Sequence, residues 1–226
     1  ILPSSMFVDS PKDIMIAYGN ANVWDTTYSL VADTLFYFSE LDSGSANGQA
    51  TLIQKKQIIK GDRIEYKDIP DVDGVSYAAR GNVTITEEGR IATCGEAIYD
   101  RENSNTILRI NPEIIDDNQT IAGSEIYLNY NDDLLESLFI PSNAYATHPS
   151  KGIRERIKIV EQDTTIYQDS LEFTDDMSGS LMRGYFVDGK LGSIRLEGMA
   201  TTIYHIFEDS VYQGKNQASG DTITMN

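Results

Sequence analysis

The sequence predicts an all-β protein, an elongated two-sheet β-taco or β-jelly roll built from repeated short strands. Three observations predict it. Runs rich in Ile, Val, Thr and Tyr alternate apolar with polar residues, and 13 Tyr occur in 226 residues, as half-buried strands require. Turn dipeptides cut these runs. A five-residue pattern returns at roughly 30-residue spacing, within the range that marks stacked architectures.

The dipeptides come first. Asn47-Gly48, Asp73-Gly74, Glu88-Gly89 and Asp188-Gly189 are expected as tight turns, because such hairpins need positive φ at both central residues. Tyr185–Leu191 is expected as one of these hairpins. The six Pro fall mostly at run edges, where a missing N–H does no harm. Leu134, Leu135, Leu138 and Phe139 have helical spacing. However, Asp132–Ala144 aligns without gaps on Asp188–Ala200, whose glycines are poor helix material. Both copies are therefore expected as turn-then-strand.

The five-residue pattern is a small or acidic residue, a variable one, an apolar one, a variable one and a large one. It appears as Asp33–Tyr37, Asp62–Tyr66, Gly95–Tyr99, Ser124–Leu128, Asp169–Phe173 and Asp221–Met225. A second motif is expected to open strands: Gly19-Asn20-Ala21, Gly81-Asn82-Val83 and Gly198-Met199-Ala200. Period two puts Leu35 with Tyr37 and Ile64 with Tyr66 on one face; Glu65, Glu172 and Thr224 point the other way. Stacked copies would bury a continuous apolar interior.

Gly81–Thr86, then Cys94–Asp100, then Gly123–Ile126 resemble the OstA/LptA-like family, whose members read Gly-Asn-Val, Ala-Asp-x-Ala-x-Tyr-Asp and Gly-Asp-x-Ile in that order. Gly179–Leu181, Tyr185–Leu191, Gly198–Ala200 and Gly214–Asp221 resemble later parts of the same proteins. The likeness runs from about Ala17 to Asn226 and is weakest over 147–167. Gly95 and Ser124 stand where the family has Asp, and Met199 where it has Asn. The resemblance implies a single continuous domain over 1–226, with room for an internal break near 147–167. It implies no enzyme and no cofactor. The expected role is a periplasmic module of an outer-membrane-bearing bacterium that carries lipopolysaccharide toward the outer membrane. Lipid A acyl chains would lie in a groove between two sheets. Expected partners are other Lpt-type components joined end to end by strand addition, or further copies of the chain head to tail. The chain starts at Ile1 and is expected to be a processed or trimmed form.

An acyl groove replaces water around hydrocarbon at about 0.8 kcal/mol per CH₂. The groove-lining candidates are Leu35, Tyr37, Ile64, Tyr66, Tyr99, Ile126, Leu128, Leu171 and Phe173; the alternative for each is closed core. Lys151, Arg154, Arg156 and Lys158 form a basic cluster, and Arg154, Arg156 and Lys158 are the phosphate-contact candidates. The alternative there is a solvated strand face.

Composition excludes other classes. With 35 acids against 18 bases the net charge is −17, which repels nucleic acid and anionic membranes. Cys94 is the only cysteine, so neither an internal disulfide nor a thiolate cluster is expected. His148 and His205 show no metal-ligand spacing, and no nucleophile elbow or phosphate loop appears. Asp71-Val72-Asp73-Gly74 starts like a calcium loop but lacks the later Glu. No apolar run reaches 18 residues. Two competing readings remain: a carbohydrate- or surface-binding β module of adhesin or solenoid type, and a glycan hydrolase with paired carboxylates. The first would show exposed Trp and Tyr platforms, and Trp24 is the only Trp.

Overall fold

The computed structural model describes residues 5–9, 14–116, 118–160, 163–188 and 190–225; the side chains of 5–9 and 157–165 lie outside the description. Among the described residues there is no α-helix, only a 3₁₀ turn at Ser39–Leu41 and 17 strands. The architecture is thus all-β, as the alternation predicts.

Six long strands follow the short β1 (Ser5–Asp9): β2 (Ile14–Trp24), β3 (Tyr28–Phe38), β4 (Ser43–Gln54), β5 (Gln57–Asp68), β6 (Val75–Glu87) and β7 (Arg90–Asp100). Neighbours pair antiparallel, and each ladder shifts register in mid-strand. In the β5–β6 pair, Ile64 faces Ala79 on one side of the shift and Ile59 faces Ile85 on the other. Each strand therefore bends and runs through two half-sheets. We call the one holding Ile64 and Ala79 the front, and the one holding Ile59 and Ile85 the back. β7 hands its front part to β8 (Asn105–Arg109) and its back part to β9 (Glu113–Asp116). The front then continues through β11 (Glu125–Asn131), β12 (Leu134–Ile140) and β15 (Leu181–Val187). The back continues through β10 (Gln119–Ala122), β13 (Ala144–Val160) and β14 (Asp163–Gly179). β16 (Lys190–Glu208) joins both, and β17 (Val211–Met225) follows it along both halves.

The bend has a local cause. Gly19-Asn20, Gly48-Gln49, Gly81-Asn82, Ile110-Asn111 and Gly198-Met199 each place two successive residues at positive φ. Such a pair makes a bulge that turns the strand. Each adjoining strand contributes one residue at the bend, such as Asp33, Asp62, Gly95 or Asp221. The Asp33 and Asp62 carboxylates occupy the space where a Cβ of Gly48 or Gly81 would sit. Asn82 Nδ2 also donates to Asp62 Oδ2 at 3.0 Å. Two expectations are corrected by this. Asn47-Gly48 is no hairpin turn, and the Gly-Asn motif does not open strands; both lie in mid-strand. Hairpins and bends need the same backbone, so the same dipeptides serve both.

The five-residue repeat acquires a structural meaning: its first residue marks the bend in five of the six copies. The exception is Asp169, which sits opposite Arg154 in the β13–β14 ladder. The bend of that strand is at Ser180, whose N–H donates to the Gly198 carbonyl at 2.8 Å. Of the other turns, Glu88-Gly89 joins β6 and β7, and Val187 faces Lys190 in the expected hairpin. Asp73-Gly74 instead ends the longer loop 69–74. Leu134–Ile140 is a strand entered by a turn with positive φ at Asp132 and Asp133.

Side-chain size grades from bend to rim. Ala21, Ala32, Ala46, Ala50, Ala79 and Ala97 flank the bend, fully enclosed, where the half-sheets converge. Ile64 stands in that same layer, opposite Ala46 and Ala79, and Leu30, Leu52 and Ile59 fill the next one. Farther out are Tyr rings, paired as Tyr28–Tyr66 with centroids 6.0 Å apart and Tyr77–Tyr99 at 5.4 Å. The core is a wedge, and residue volume follows its taper.

Candidate functional site

In the middle of the fold the wedge is closed. Ile64 and Ile126 are fully buried, and Leu128 and Tyr99 are at most 7% exposed. The rim is latched between the half-sheets. Gln54 Oε1, from the back, accepts the Val75 N–H of the front at 3.0 Å. Lys55 reaches across to Asp133. Arg90 lies over the Phe186 ring, 5.5 Å from its centroid. On the front, Arg101 donates to the Asp73 carbonyl at 2.8 Å, to Tyr99 Oη at 3.1 Å and to Asp133 Oδ1 at 3.0 Å.

The N-terminal end differs. β1 pairs with Ile14–Tyr18, the front part of β2. The back part, Ala21–Trp24, has β3 as its only partner strand among the described residues. Among the described residues the inner surface there is flanked by one strand, and a cavity of about 370 Å³ opens between the half-sheets. Met15, Ala17, Val23, Leu35, Tyr37 and Tyr66 give it an apolar wall, and Asp25 and Asp68 stand at its mouth. Burial pushes the Tyr28 hydroxyl up to about 12, and the nearby Asp68 and Asp25 add to the shift. Burial also raises the Asp68 carboxyl above its ordinary value. The cavity therefore offers hydrocarbon contact behind an acidic lip, a poor setting for an anion.

The predicted site residues are divided by this geometry. Leu35, Tyr37 and Tyr66 come together in the cavity wall. Ile64, Tyr99, Ile126 and Leu128 pack in the closed middle. Leu171 and Phe173 belong to the other end. There the outer part of the β13–β14 hairpin leans on the tip of β16–β17, with Ile153 N donating to the Ser210 carbonyl at 2.8 Å. Phe173 stacks on Tyr212 at 4.5 Å and lies beside His205 and Phe207. His205 Nδ1 is 2.7 Å from Asp175 Oδ1, and the His205 backbone N–H donates to the same oxygen at 2.8 Å.

The basic cluster lies on that same hairpin. Lys151 pairs with Glu172 at 2.8 Å and Arg156 with Asp169 at 2.9 Å, all exposed. Arg154 is exposed as well, and the side chain of Lys158 lies outside the description. Along the back half-sheet, β2 and β13 are eight strand steps apart. That is roughly 38 Å at about 4.8 Å per strand. The cavity-wall candidates Leu35, Tyr37 and Tyr66 thus sit at the opposite end from the phosphate candidates, whose hairpin also carries Leu171 and Phe173.

Sequence reasoning missed Met15, Ala17 and Val23. Their alternation on β2 was a usable signal, hidden because the Gly19-Asn20 bend interrupts it. Trp24 is exposed, in an outward row with Ile53, Ile58, Ile91 and Ile115. Among the described residues no three His, Cys, Asp or Glu side chains form a metal-holding group. No described helix is long and apolar enough to cross a membrane.

No protein-family model matches the sequence, and no curated protein matches it. A solved structure that is similar is that of LptH from Pseudomonas aeruginosa, described as the LptA-homologous periplasmic component of the lipopolysaccharide transport device. The match has a TM-score of 0.43 and 13% identity, and it covers 48% of this chain and 79% of that one.

Proposed function

We propose that the chain is a lipid-carrying module of the lipopolysaccharide-transport type, working in the periplasm, that shelters acyl chains between its half-sheets and makes or breaks no bond. The observation that carries this reading is the apolar cavity at the N-terminal end. It continues the wedge between the half-sheets and opens beside the back part of β2, which among the described residues has β3 as its one partner strand. The family-like order of motifs along the chain supports it independently. Each methylene taken into such a wall is stabilised by about 0.8 kcal/mol, enough for holding and release when a few are buried.

In this reading Leu35, Tyr37 and Tyr66 touch the tail first. Ile64, Tyr99, Ile126 and Leu128 would meet it only if the rim latches part. Leu171 and Phe173, with Arg154, Arg156 and Lys158, would serve a lipid at the other end. Strand addition is the proposed mode of assembly, with lipid-transport partners or with further copies of the chain. β17 offers an outer edge and β2 an incompletely covered one.

The test is titration with a fluorescent fatty-acyl probe, followed by displacement with lipopolysaccharide. Binding should be saturable in the wild type and weakened in Val23→Phe, which narrows the cavity. No probe uptake by the folded wild type, or equal uptake by Val23→Phe, overturns the reading. The carbohydrate-module alternative draws on the exposed Trp24; it would be favoured if polysaccharide, and no acyl probe, bound.

A further inference from the structure

A second depression lies on the rim of the wedge, away from the apolar cavity. It is about 270 Å³ and sits between the β4–β5 and β6–β7 turns of the back half and the β11–β12 turn of the front. Its wall mixes polar and charged groups with ring surface from Tyr99 and Tyr130. Gln54 is the informative residue. It is 5% exposed, and its carbonyl oxygen is fixed by the Val75 N–H at 3.0 Å. Fixing that oxygen fixes the amide. Among the described residues its NH₂ has no acceptor and is not sealed off, and the residue lines the depression, which leaves the NH₂ as a held donor there. Beside it, Gln57 Nε2 donates to Glu87 Oε1 at 3.2 Å.

Charge narrows the ligand. The wall holds Lys55, Lys56 and Arg101 against five carboxylates, those of Asp73, Glu87, Glu88, Asp132 and Asp133. All three cations are already engaged: Lys55 and Arg101 with Asp133, and Lys56 with Glu88. An anion would meet surplus negative charge and no free cation. A hydrocarbon would strand the polar wall. What fits is a neutral group rich in hydroxyls, which gives and takes hydrogen bonds with amides and carboxylates while its C–H face lies on Tyr rings.

The geometry points to this depression as a binding site for a neutral hexose ring, with Gln54 its anchoring donor. This site does not depend on acyl binding in the cavity. The two are joined along the rim by a shallow trough over Asp25, Tyr28, Lys55 and Asp73. If both are occupied, a glycolipid can place its tail at the end and its sugar in the rim.

The test is saturation-transfer NMR on the full chain with methyl glycosides of glucose, galactose, mannose and N-acetylglucosamine, and with inorganic phosphate as the anion probe. At least one glycoside should bind, and Gln54→Leu should weaken it by about tenfold, one hydrogen bond's worth. Gln54→Leu also unpairs the Val75 N–H, so a second variant guards against misfolding. Leu134→Arg, at a half-exposed position, puts a long side chain across the mouth and should abolish binding. Val23→Phe, which narrows the apolar cavity, should leave glycoside binding unchanged; the two readings can therefore fail separately. Absence of glycoside binding by the folded wild type overturns the assignment. So does binding untouched by both rim variants, or a preference for phosphate over every glycoside.

Discussion

Between β4 and β7, every inward side chain has a strand on either side and a facing side chain across the wedge. At β2 the same apolar–polar alternation continues, but among the described residues its back part has a strand on one side alone. Leu52 and Ile59 are therefore completely enclosed, whereas Val23, on the back part of β2, is half-buried. The difference teaches that the alternating pattern makes an apolar inner face. Whether that face becomes core or cavity depends on how many strands flank it. In this fold the apolar cavity lies at the end of the wedge, and the middle of the wedge is packed.

The comparison can be broken most directly by truncating one residue from each region. Leu52→Ala should cost about 2–5 kcal/mol, because the closed middle cannot relax into the hole. Val23→Ala should cost less than about 1 kcal/mol, since water already reaches that wall. Denaturant unfolding measures both, and similar losses would remove the distinction.

Thiol chemistry probes the same contrast. Burial pushes the Cys94 thiol up to about 11, against an ordinary value of 9.0, although backbone contacts pull the other way. Two units mean about a hundredfold less thiolate at neutral pH, before any loss of access. Cys94 should resist aromatic disulfide reagents until the protein unfolds. A cysteine placed in the end wall by Val23→Cys should react quickly.

Smaller effects sharpen the account of the bend. Gly81 has φ 75° and the Asp62 carboxylate against it, whereas Gly89 has φ 91° and open space around it. Gly81→Ala should cost about 1–3 kcal/mol, and Gly89→Ala less, because only backbone strain remains there. Equal melting temperatures would mean the bend tolerates a side chain.

The smallest effect is a pH dependence. Burial raises the Glu87 carboxyl above its ordinary 4.5, and the bond from Gln57 and the charge of Arg90 only partly offset this. A raised acid contributes stability below 4.5 and loses it as pH climbs through the folded value. At neutral pH the wild type therefore carries a penalty that Glu87→Gln lacks. The variant should melt slightly higher at pH 7 and no higher below pH 4.5. An advantage independent of pH would point to packing instead.

Much of the fold was legible because period-two alternation is a direct consequence of strand geometry. Leu35 with Tyr37, and Ile64 with Tyr66, point inward as the spacing requires, and Glu65 points out to Arg63 and Arg80. The bends were not legible. Gly81-Asn82 and Glu88-Gly89 adopt the same left-handed pairs, and only the continuation of the ladder beyond Val83 tells a bend from a turn. Ser180 was passed over for Asp169 because Gly184 replaces the large final residue of the repeat. The cavity was half legible. Leu35, Tyr37 and Tyr66 were named, but the sequence carries no sign of which strands flank each half of β2. Which inner residues stay open depends on that pairing, which the local pattern does not encode.

The most direct measurement places a photocrosslinking amino acid at Tyr37, in the end wall, and separately at Ile126, in the closed middle, and exposes each protein to lipopolysaccharide. The account predicts lipid adducts at residue 37 and few or none at residue 126. Strong capture at 126, or none at 37 in a folded protein, would contradict it.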